Sequence, residues 1–402
     1  MKKIKILRII ARLNIGGPAI HTILLTDGLD KSRFDSLLVC GNVSKDEADM
    51  SYYAAEKNVK PYFISELKRE LNLFNDIVAF KKIFNLIKTE QPDIIHTHTA
   101  KAGTLGRLAA ISYVFFHPFH DKRIQLVHTF HGHIFQGYFN KFITRLFILI
   151  EKFLAFFTCR IITVSDSVKN ELISLRIAQK NKIAVIPLGL ELDRFLGISI
   201  RNNNVLNIGI VGRLVIVKNH RLFLEAANKV IKNNPQIKLK FNIVGDGELK
   251  EELKSCAYKL GINAQVNFLG WQKDVVKAYS ELDIVALTSI NEGTPVSLIE
   301  AMASGKAVIA TDVGGVRDLL GKEINIDIKP DADFKILERG IIVKPDDSFS
   351  LAKALMLLLR NDNLRQELGI KARDFVRYKF AKERLLQDIE NLYNSILILN
   401  PC

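Results

Sequence analysis

Residues 284–300 read IVALTSINEGTPVSLIE, and the order of elements in this stretch indicates the fold class. The first four residues are apolar, as in a strand buried on both faces, and a polar loop follows. Thr294 suits an N-cap and Pro295 the first position of a helix. The same order of strand, loop and helix recurs along most of the chain. It predicts parallel sheets covered by helices, which is an α/β fold.

The recurring units form two series. The first begins with the apolar, β-branched run Ile4–Ile10, and the second begins at Leu206, after the polar stretch Arg201–Asn204. A chain of 402 residues is also too long for a single core. We predict two doubly wound, Rossmann-like domains, residues 1–198 and 199–378, that face a central cleft, followed by a helical segment at 379–402.

Two carboxylates flank the predicted helix start. Glu292 lies in the loop, and Glu300 lies five residues after Pro295, about 7.5 Å along the helix axis. A helix N-terminus binds phosphate through its free N–H groups and the positive end of its dipole. A nucleoside diphosphate sugar matches this layout, with sugar hydroxyls at Glu292 and the ribose at Glu300. A capped helix with two solvated glutamates explains the same spacing.

Two further loops carry groups that suit phosphate. Arg213 and Lys218 follow the first strand of the second series, and a planar guanidinium with a nearby ammonium can bind two phosphates. A basic surface loop is the alternative. In the first domain, Gly16 and Gly17 follow the first strand and allow backbone to approach a ligand closely.

Five of the nine histidines lie at two predicted strand ends. They are His96, His98, His128, His131 and His133. Their spacing matches no HExxH motif, so hydrogen bonds to a sugar or a role beside a phosphate are favoured over zinc. We therefore expect no metal site.

Six segments in chain order resemble the retaining glycosyltransferases of family 4, which have the two-domain GT-B fold. The most specific is EGTPVSLIEAMASGKAVIATDVGG, residues 292–315. The others are GGPAIHT (16–22), IIHTHTAKAGTLGRLAA (94–110), VHTFHGH (127–133), GIVGRLVIVKNH (209–220) and IVGDGELKEEL (243–253). The resemblance covers nearly the whole chain.

This resemblance implies roles for the residues of the second domain. Glu300 would hold the ribose hydroxyls of a nucleotide-sugar donor. Arg213 and Lys218 would bind the diphosphate and stabilise the leaving nucleotide. Glu292 and the backbone of Gly293–Val296 would hold the donor sugar. No metal cofactor is implied, and the anomeric configuration would be retained by a same-face substitution.

The resemblance also implies roles for the first domain. Gly16 and Gly17 would pack against the diphosphate when the domains close, and His131 would contact the donor sugar near the reacting face. The last helix, residues 379–402, would cross back onto the first domain. The triplet Asp331-Ala332-Asp333 imitates a metal-binding DxD motif but lies far from the motif set.

The implied reaction transfers a hexose or N-acetylhexosamine from a UDP-sugar. The implied acceptor is a polyprenyl-diphosphate-linked or oligosaccharide acceptor in surface polysaccharide synthesis. An epimerase that acts on the donor alone is the alternative within the same fold. A nicotinamide oxidoreductase is disfavoured because no G-x-G-x-x-G follows a strand. A binding module without turnover is a third alternative.

The formal charge of +14 is unevenly distributed along the chain. Residues 1–200 carry 28 basic and 18 acidic residues, a difference of +10, which leaves +4 for the rest. In residues 101–160, eight basic residues alternate with aromatic ones, a pattern that suits an anionic membrane surface. We predict that Tyr113–Arg123 is an exposed loop and favour a core helix for Phe147–Phe157. No nucleic-acid motif is present, so nucleic acid is not an expected partner.

The same chain shows no signal-peptide pattern and no run of 18 apolar residues. Its cysteines are far apart and form no CxxC pair, as is typical of a reducing compartment. They are Cys40, Cys159, Cys256 and Cys402. We expect a cytoplasmic protein with peripheral contact at the inner face of the cell membrane.

Overall fold

The computed structural model describes residues 2–44, 49–68, 70–117, 124–132, 141–199, 205–236, 238–324 and 333–398. Of the residues named above, His133, Asp331, Ala332, Cys402, Arg201–Asn204 and residues 118–123 lie outside these ranges. The chain divides into two units. The first is Met1–Leu190 together with Lys382–Cys402, and the second is Glu191–Ala381. The sequence prediction placed these boundaries after residues 198 and 378.

The described residues contain alternating strands and helices. The strands are β1 (Ile4–Arg12), β2 (Phe34–Gly41), β3 (Tyr62–Phe63), β4 (Ile94–His98), β5 (Gln125–Phe130), β6 (Arg160–Thr163), β7 (Ile183–Val185), β8 (Leu206–Val211), β9 (Leu239–Val244), β10 (Val266–Gly270), β11 (Ile284–Leu287), β12 (Ala307–Thr311), β13 (Phe334–Leu337) and β14 (Gly340–Val343). The helices are α1 (Gly17–Gly28), α2 (Ser51–Glu56), α3 (Leu73–Glu90), α4 (Ala100–Phe116), α5 (Lys141–Phe157), α6 (Asp166–Ser174), α7 (Asp193–Leu196), α8 (His220–Asn233), α9 (Lys250–Leu260), α10 (Val275–Glu281), α11 (Val296–Ala303), α12 (Val316–Leu320), α13 (Ser348–Arg360), α14 (Asp362–Lys379) and α15 (Lys382–Ile398).

The first unit is built on a parallel sheet in the order β3-β2-β1-β4-β5-β6-β7. Its central strands are apolar on both faces, so neighbouring residues join different cores. Ile95 packs in a cluster with α3 and α4, whereas Ile94 packs in a cluster with α1 and α15. Strands buried on both faces need helices on both sides, which explains the alternation of elements.

The C-terminal helix α15 belongs to the core of the first unit. Leu385, Ile389, Leu392 and Ile396 recur at helical spacing and pack with Ile6 and neighbouring apolar residues of the sheet. The Arg384 guanidinium donates to the carbonyl oxygens of Pro187 and Leu188 at 2.8 and 2.6 Å. Burial of the apolar face of α15 therefore ties the end of the chain to the first sheet.

The second unit contains a sheet in the order β10-β9-β8-β11-β12-β14-β13, in which β13 pairs with β14 in the antiparallel direction. The other neighbours are parallel. Residues Ile208, Phe241 and Ile309 of the central strands join a core with α8, α9, α13 and α14. The predicted α/β fold with two doubly wound sheets is confirmed.

Each sheet has a point at which the strand order reverses. It lies between β1 and β4 in the first sheet and between β8 and β11 in the second. Ligands of doubly wound sheets bind in the crevice outside the carboxyl ends of the strands at such a point. Gly16 follows β1, Arg213 follows β8 and Glu292 follows β11, so the predicted site residues lie at these positions.

One local expectation was wrong in part. Helix α4 runs to Phe116, so Tyr113–Phe116 is helical rather than part of a loop, and Tyr113 is buried. Val114, Phe115 and Phe116 are exposed, as predicted. The rest of that predicted loop, from residue 118 onward, is outside the described ranges. None of the described helices is both long enough and apolar enough to cross a membrane.

Candidate functional site

An ion pair joins two loops of the second unit. The Lys218 Nζ lies 2.5 Å from the Glu292 Oε1, and the two side chains are only 20% and 11% exposed. The Ser289 hydroxyl donates to the same carboxylate oxygen at 2.6 Å. Lys218 ends the short turn that follows β8, whereas Glu292 belongs to the loop after β11. The fold therefore brings together a cation and a carboxylate that are 74 residues apart.

Backbone contacts fix these two loops against each other. The amide of Ile290 donates to the carbonyl of Val217 at 2.9 Å, and the Thr288 hydroxyl donates to the carbonyl of Lys218 at 2.9 Å. The Thr311 hydroxyl donates to the carbonyl of Ser289 at 2.6 Å. Because the backbone on both sides is held, the two side chains are preorganised rather than paired by chance.

Arg213 lies in the same loop as Lys218. Its guanidinium is partly exposed and makes no hydrogen bond or ion pair within the described part of the chain. The stem of Lys218 passes over Gly212, where an added Cβ would lie 3.8 Å from the lysine Cδ and Cε. The backbone of Gly245 packs closely against this loop. Its φ is +141°, and an added Cβ would lie 1.9 Å from the Gly212 carbonyl oxygen.

Helix α11 begins beside Glu292 without a capping side chain. Pro295, with φ −72° and ψ 110°, is the N-cap. The prediction of Thr294 as N-cap was wrong by one residue, since the Pro295 carbonyl accepts from Leu298 and Ile299. The amides of the first two helical residues have no acceptor inside the helix and can therefore bind an anion. The buried Thr294 hydroxyl has no hydrogen-bond partner among the described residues.

Glu300 lies on α11, five residues after Pro295. The Tyr279 hydroxyl donates to the Glu300 Oε2 at 3.1 Å and to the Ser297 carbonyl at 2.9 Å. Although the residue keeps an exposed edge, its carboxyl is enclosed by protein, and desolvation raises its pKa to about 7. The hydrogen bond from Tyr279 works in the opposite direction and lowers that pKa. A carboxyl in this state can both accept and donate hydrogen bonds near neutral pH.

We expect Glu300 to make the stability of the protein depend on pH. The folded protein binds this proton more tightly than the unfolded chain, whose ordinary carboxyl pKa is 4.5. The stabilisation is complete below that value and is lost as the pH rises through about 7. A Glu300→Gln variant should lack this pH-dependent contribution to stability. The difference in free energy of unfolding, variant minus wild type, should therefore rise between about pH 5 and 8. Denaturant titrations across this range measure the difference.

A Tyr279→Phe variant is the matched control for this prediction. Loss of the phenol removes the hydrogen bond that lowers the Glu300 pKa, so the transition should move to higher pH. Stability curves of the wild type and Glu300→Gln that stay parallel across the range would contradict the prediction.

In the first unit, Gly16 and Gly17 form the start of α1. Gly16 is the N-cap with φ +153° and ψ 171°, and no side chain caps this helix end. An added Cβ at Gly16 would contact only Pro18, at 3.8 Å, so the backbone conformation rather than crowding favours glycine. The first turn contains no acidic residue. This helix start is therefore also open to an anion.

His131 follows β5 and contacts two other histidines. Its Nε2 lies 3.0 Å from the Nδ1 of His98, which ends β4. The ring of His21, from the first turns of α1, lies 5.0 Å from the ring of His131 and 5.6 Å from that of His98, measured between centroids. Burial lowers the pKa of His131 to about 3, so this ring is neutral at physiological pH.

Of the other predicted histidines, His96 and His128 are not part of this cluster, and His133 lies outside the described residues. His128 points to the opposite face of the sheet, where its Nδ1 lies 2.8 Å from the Thr97 hydroxyl. His96 is fixed by Tyr393, whose hydroxyl lies 2.6 Å from its Nδ1, and by the Thr129 hydroxyl, 2.7 Å from its Nε2. The histidines that the sequence groups by strand end therefore lie on two different faces of the sheet.

The predicted site residues thus belong to two local groups. Lys218, Glu292 and the start of α11 lie together in the second unit, with Arg213 in the same loop as Lys218. Gly16, Gly17 and His131 belong to the first unit.

Sequence reasoning missed three residues of these groups. Ser289 holds Glu292, and its position two residues after β11 was a usable signal. His21 lies one helical turn after Gly17, a spacing that places it beside the loop end of α1. Tyr279 is in α10, outside every recognised motif, and no signal in the sequence indicates its bond to Glu300.

The comparisons with known proteins agree with this architecture. Residues 15–194 match the family model described as Glycosyltransferase Family 4, and residues 198–375 match the one described as Glycosyl transferases group 1. The two doubly wound sheets and the groups at their reversal points define a glycosyltransferase with the GT-B fold. The chain belongs to glycosyltransferase family 4.

Several characterised proteins are similar over nearly the full length. One is the UDP-Gal:alpha-D-GlcNAc-diphosphoundecaprenol alpha-1,3-galactosyltransferase of Escherichia coli, 28% identical over 92% of this chain and 91% of its own. Another is an alpha-1,4-N-acetyl-D-galactosaminyltransferase of Campylobacter jejuni that acts on an undecaprenol-linked saccharide, 28% identical over 97% and 99%. Among solved structures, HepE of Anabaena in complex with UDP superposes with a TM-score of 0.76 at 18% identity, over 98% of this chain and 100% of that one.

Proposed function

We propose that this enzyme transfers a hexose or N-acetylhexosamine from a UDP-sugar to a polyprenyl-diphosphate-linked saccharide during surface polysaccharide synthesis. The proposed transfer retains the anomeric configuration. The similarity to two enzymes whose names specify undecaprenol-linked acceptors supports the acceptor class. The fold shared with a UDP-bound protein is compatible with a uridine nucleotide.

The observation that carries the proposal is the ion pair between Lys218 and Glu292 beside the uncapped start of α11. In the free enzyme, each partner neutralises the other in a largely buried position. When the donor binds, its diphosphate can replace the carboxylate as the partner of Lys218. Glu292 then becomes free to accept hydrogen bonds from sugar hydroxyls. The ion pair therefore holds both side chains in position until the diphosphate and the sugar of the donor separate them.

Breaking of the glycosidic bond transfers negative charge to the departing diphosphate. Arg213 and Lys218 supply positive charge from one loop, and the free amides at the start of α11 supply hydrogen bonds. Preorganised donors of this kind stabilise charge that develops in the transition state without reorganisation. Glu300, on the same helix, is proposed to bind the ribose hydroxyls.

Retention is proposed to follow from attack of the acceptor hydroxyl on the face from which the nucleotide departs. The Ser289 hydroxyl also donates to Glu292, and a carboxylate fixed in this way suits a role in holding the sugar rather than in attacking it. His131 is proposed to contact the donor sugar, and Gly16 and Gly17 to approach the diphosphate. The neutral His131 ring can hydrogen-bond a hydroxyl without adding charge.

We also propose that transfer requires no divalent cation. The two basic side chains and the start of α11 supply the positive charge that Mg²⁺ provides in metal-dependent phosphate chemistry. Full turnover after dialysis against EDTA is the expected result, and loss of turnover that Mg²⁺ or Mn²⁺ restores would refute this part of the proposal.

Product analysis tests the reaction. The enzyme is incubated with UDP-hexoses and UDP-N-acetylhexosamines, with and without a synthetic polyprenyl diphosphate carrying one sugar. A longer saccharide with the donor's anomeric configuration, read by NMR coupling constants, is expected only with the acceptor present. An isomerised nucleotide sugar formed from the donor alone would instead support the epimerase alternative.

The described part of α5 offers a surface for the membrane that carries such an acceptor. Five apolar side chains with alternating spacings of four and three residues are 50–79% exposed, and we name them the α5 stripe. They are Phe142, Leu146, Leu149, Phe153 and Phe156. The interpretation of Phe147–Phe157 as a core helix holds for one side of α5, where Leu154 and Ala155 are buried, whereas the α5 stripe is exposed. We propose that the α5 stripe contacts an anionic bilayer peripherally.

A Phe156→Glu variant should bind liposomes of anionic phospholipid about 10- to 100-fold more weakly than the wild type. Burial of one Phe contributes about 1.5–3 kcal/mol, and a carboxylate also repels the lipid. A Tyr258→Glu variant is the matched control, because Tyr258 is 75% exposed on α9 of the second unit and Phe156 is 78% exposed. Flotation assays at low and high salt measure the effect. Equal binding of both variants, or no binding of the wild type, would contradict the membrane proposal.

A further inference from the structure

Three imidazoles from three different elements converge in the first unit. His21 comes from α1, His98 from the end of β4 and His131 from the loop after β5. One ring nitrogen of each lies within 4.8 Å of those of the other two. We propose that these residues form a site for a borderline-soft divalent cation of the Zn²⁺ type, with a fourth coordination position left open.

The hydrogen bonding of the cluster is incomplete. Both ring nitrogens of His21, the Nε2 of His98 and the Nδ1 of His131 are buried and have no partner among the described residues. Buried polar atoms in folded proteins are almost always hydrogen-bonded, because an unmet donor or acceptor is costly. The two unpartnered nitrogens of His21, beside the hydrogen-bonded pair of His98 and His131, indicate that an occupant binds there.

The chemistry of the ligand set selects the class of ion. All three side chains are imidazoles, and the neutral imidazole nitrogen is the commonest metal ligand in proteins. No carboxylate joins the cluster within the described residues. Imidazole suits Zn²⁺, Ni²⁺ and Cu²⁺, whereas Mg²⁺ and Ca²⁺ require oxygen ligands.

The surroundings hold one ligand in position. The ring of His98 stacks on that of His96, with centroids 4.2 Å apart. His96 is in turn fixed by Arg8 and Tyr393, whose side-chain atoms lie 3.0 and 2.6 Å from its Nδ1. The buried charge of Arg8 repels a cation in the cluster, so a bound ion needs an anion, such as hydroxide, in its open position.

Metal binding requires only a small closure. Zn²⁺ binds imidazole nitrogen at about 2.0–2.1 Å, so the three nitrogens must approach each other to roughly 3.4 Å in a tetrahedral site. The hydrogen bond between His98 and His131 is replaced by two metal bonds. Because His131 is also proposed to contact the donor sugar, we expect a bound ion to inhibit transfer, a consequence that rests on the proposed function.

The binding itself is tested without any activity assay. The full chain, prepared without a polyhistidine tag and stripped of metal, is titrated with Co²⁺, whose visible absorption is intense when it is four-coordinate. We expect one equivalent to bind and Zn²⁺ to displace it. His21→Gln, His98→Gln and His131→Gln should each weaken binding by at least about 100-fold, the upper end of the loss seen for outer-shell partners.

His220→Gln is the matched control, because His220 is also buried with both ring nitrogens unpaired but belongs to the second unit. Its variant should bind Co²⁺ as the wild type does. Absence of stoichiometric binding by the wild type, or unchanged binding by all three cluster variants, would overturn the proposal. X-ray absorption of the zinc-loaded wild type gives a second readout if a variant fails to fold, and fewer than three imidazole ligands to the ion would also overturn it.

Discussion

An Arg213→Leu variant should lose about 100- to 1,000-fold in kcat, the effect of removing one preorganised donor from a developing negative charge. Its thermal stability should stay close to that of the wild type. The reason is that the Arg213 guanidinium makes no hydrogen bond or ion pair within the described residues, so the folded state loses no contact of that group. Steady-state kinetics with a UDP-sugar and thermal unfolding measure the two quantities separately.

An Arg221→Leu variant is the matched control for the loss of a positive charge. Arg221 lies eight residues further along the chain and is 69% exposed. Among the described residues, its ion-pair partner is Glu225, one helical turn away in α8. It should retain kcat within a factor of two, on the order expected for an exposed charge far from the chemistry. Unchanged kcat in Arg213→Leu would remove Arg213 from the proposed mechanism, and equal losses in both variants would point to net charge instead.

The second large effect is expected on stability. Arg107 of α4 donates from one guanidinium nitrogen to both carboxylate oxygens of Glu151 in α5, at 2.8 and 2.7 Å. The two side chains are 0% and 3% exposed. A Glu151→Ala variant should destabilise the protein by about 3–5 kcal/mol, because it leaves a buried guanidinium without a counter-charge. Urea denaturation followed by circular dichroism measures this loss.

Two further variants define the origin of that loss. The double variant Arg107→Met with Glu151→Leu should recover most of the stability, since apolar pairs often replace buried ion pairs without cost. Asp27→Ala, which breaks the exposed pair with Lys31 at 2.8 Å, should cost less than about 1 kcal/mol. A loss in Glu151→Ala no larger than that in Asp27→Ala would show that the burial of this pair does not matter.

Most strands of the fold could be predicted from local pattern. The sequence predicts strands at Gln125–Phe130, Leu206–Val211, Leu239–Val244, Ile284–Leu287 and Ala307–Thr311. These limits match β5, β8, β9, β11 and β12, because each segment is rich in apolar residues and is followed by polar residues or glycine. The short edge strand β3, with only Tyr62 and Phe63, was missed because it is exposed and has no such run. Strand β13 was missed because it pairs in the antiparallel direction after residues that carry no clear period.

The helices were harder to describe from the sequence. The aromatic residues from Tyr113 onward look like a surface segment in the sequence, yet Tyr113 lies in α4 and is buried in the core. In α5, apolar residues occur on both sides of the helix, so composition cannot distinguish the buried side from the exposed α5 stripe. That distinction depends on which side meets α4 through the Arg107–Glu151 pair.

The sequence by itself determined the alternation of strands and helices, and it placed Arg213 and Glu292 directly after strands, because residue periodicity and turn chemistry act over a few neighbouring residues. The tertiary structure decided which of these residues meet. Lys218 and Glu292 are paired because β8 and β11 are adjacent at the reversal point of the second sheet. His21 joins His98 and His131 because β1, β4 and β5 are neighbours whose loops end on one edge. Strand order and side-chain direction set such contacts, and neither is encoded within a single local segment.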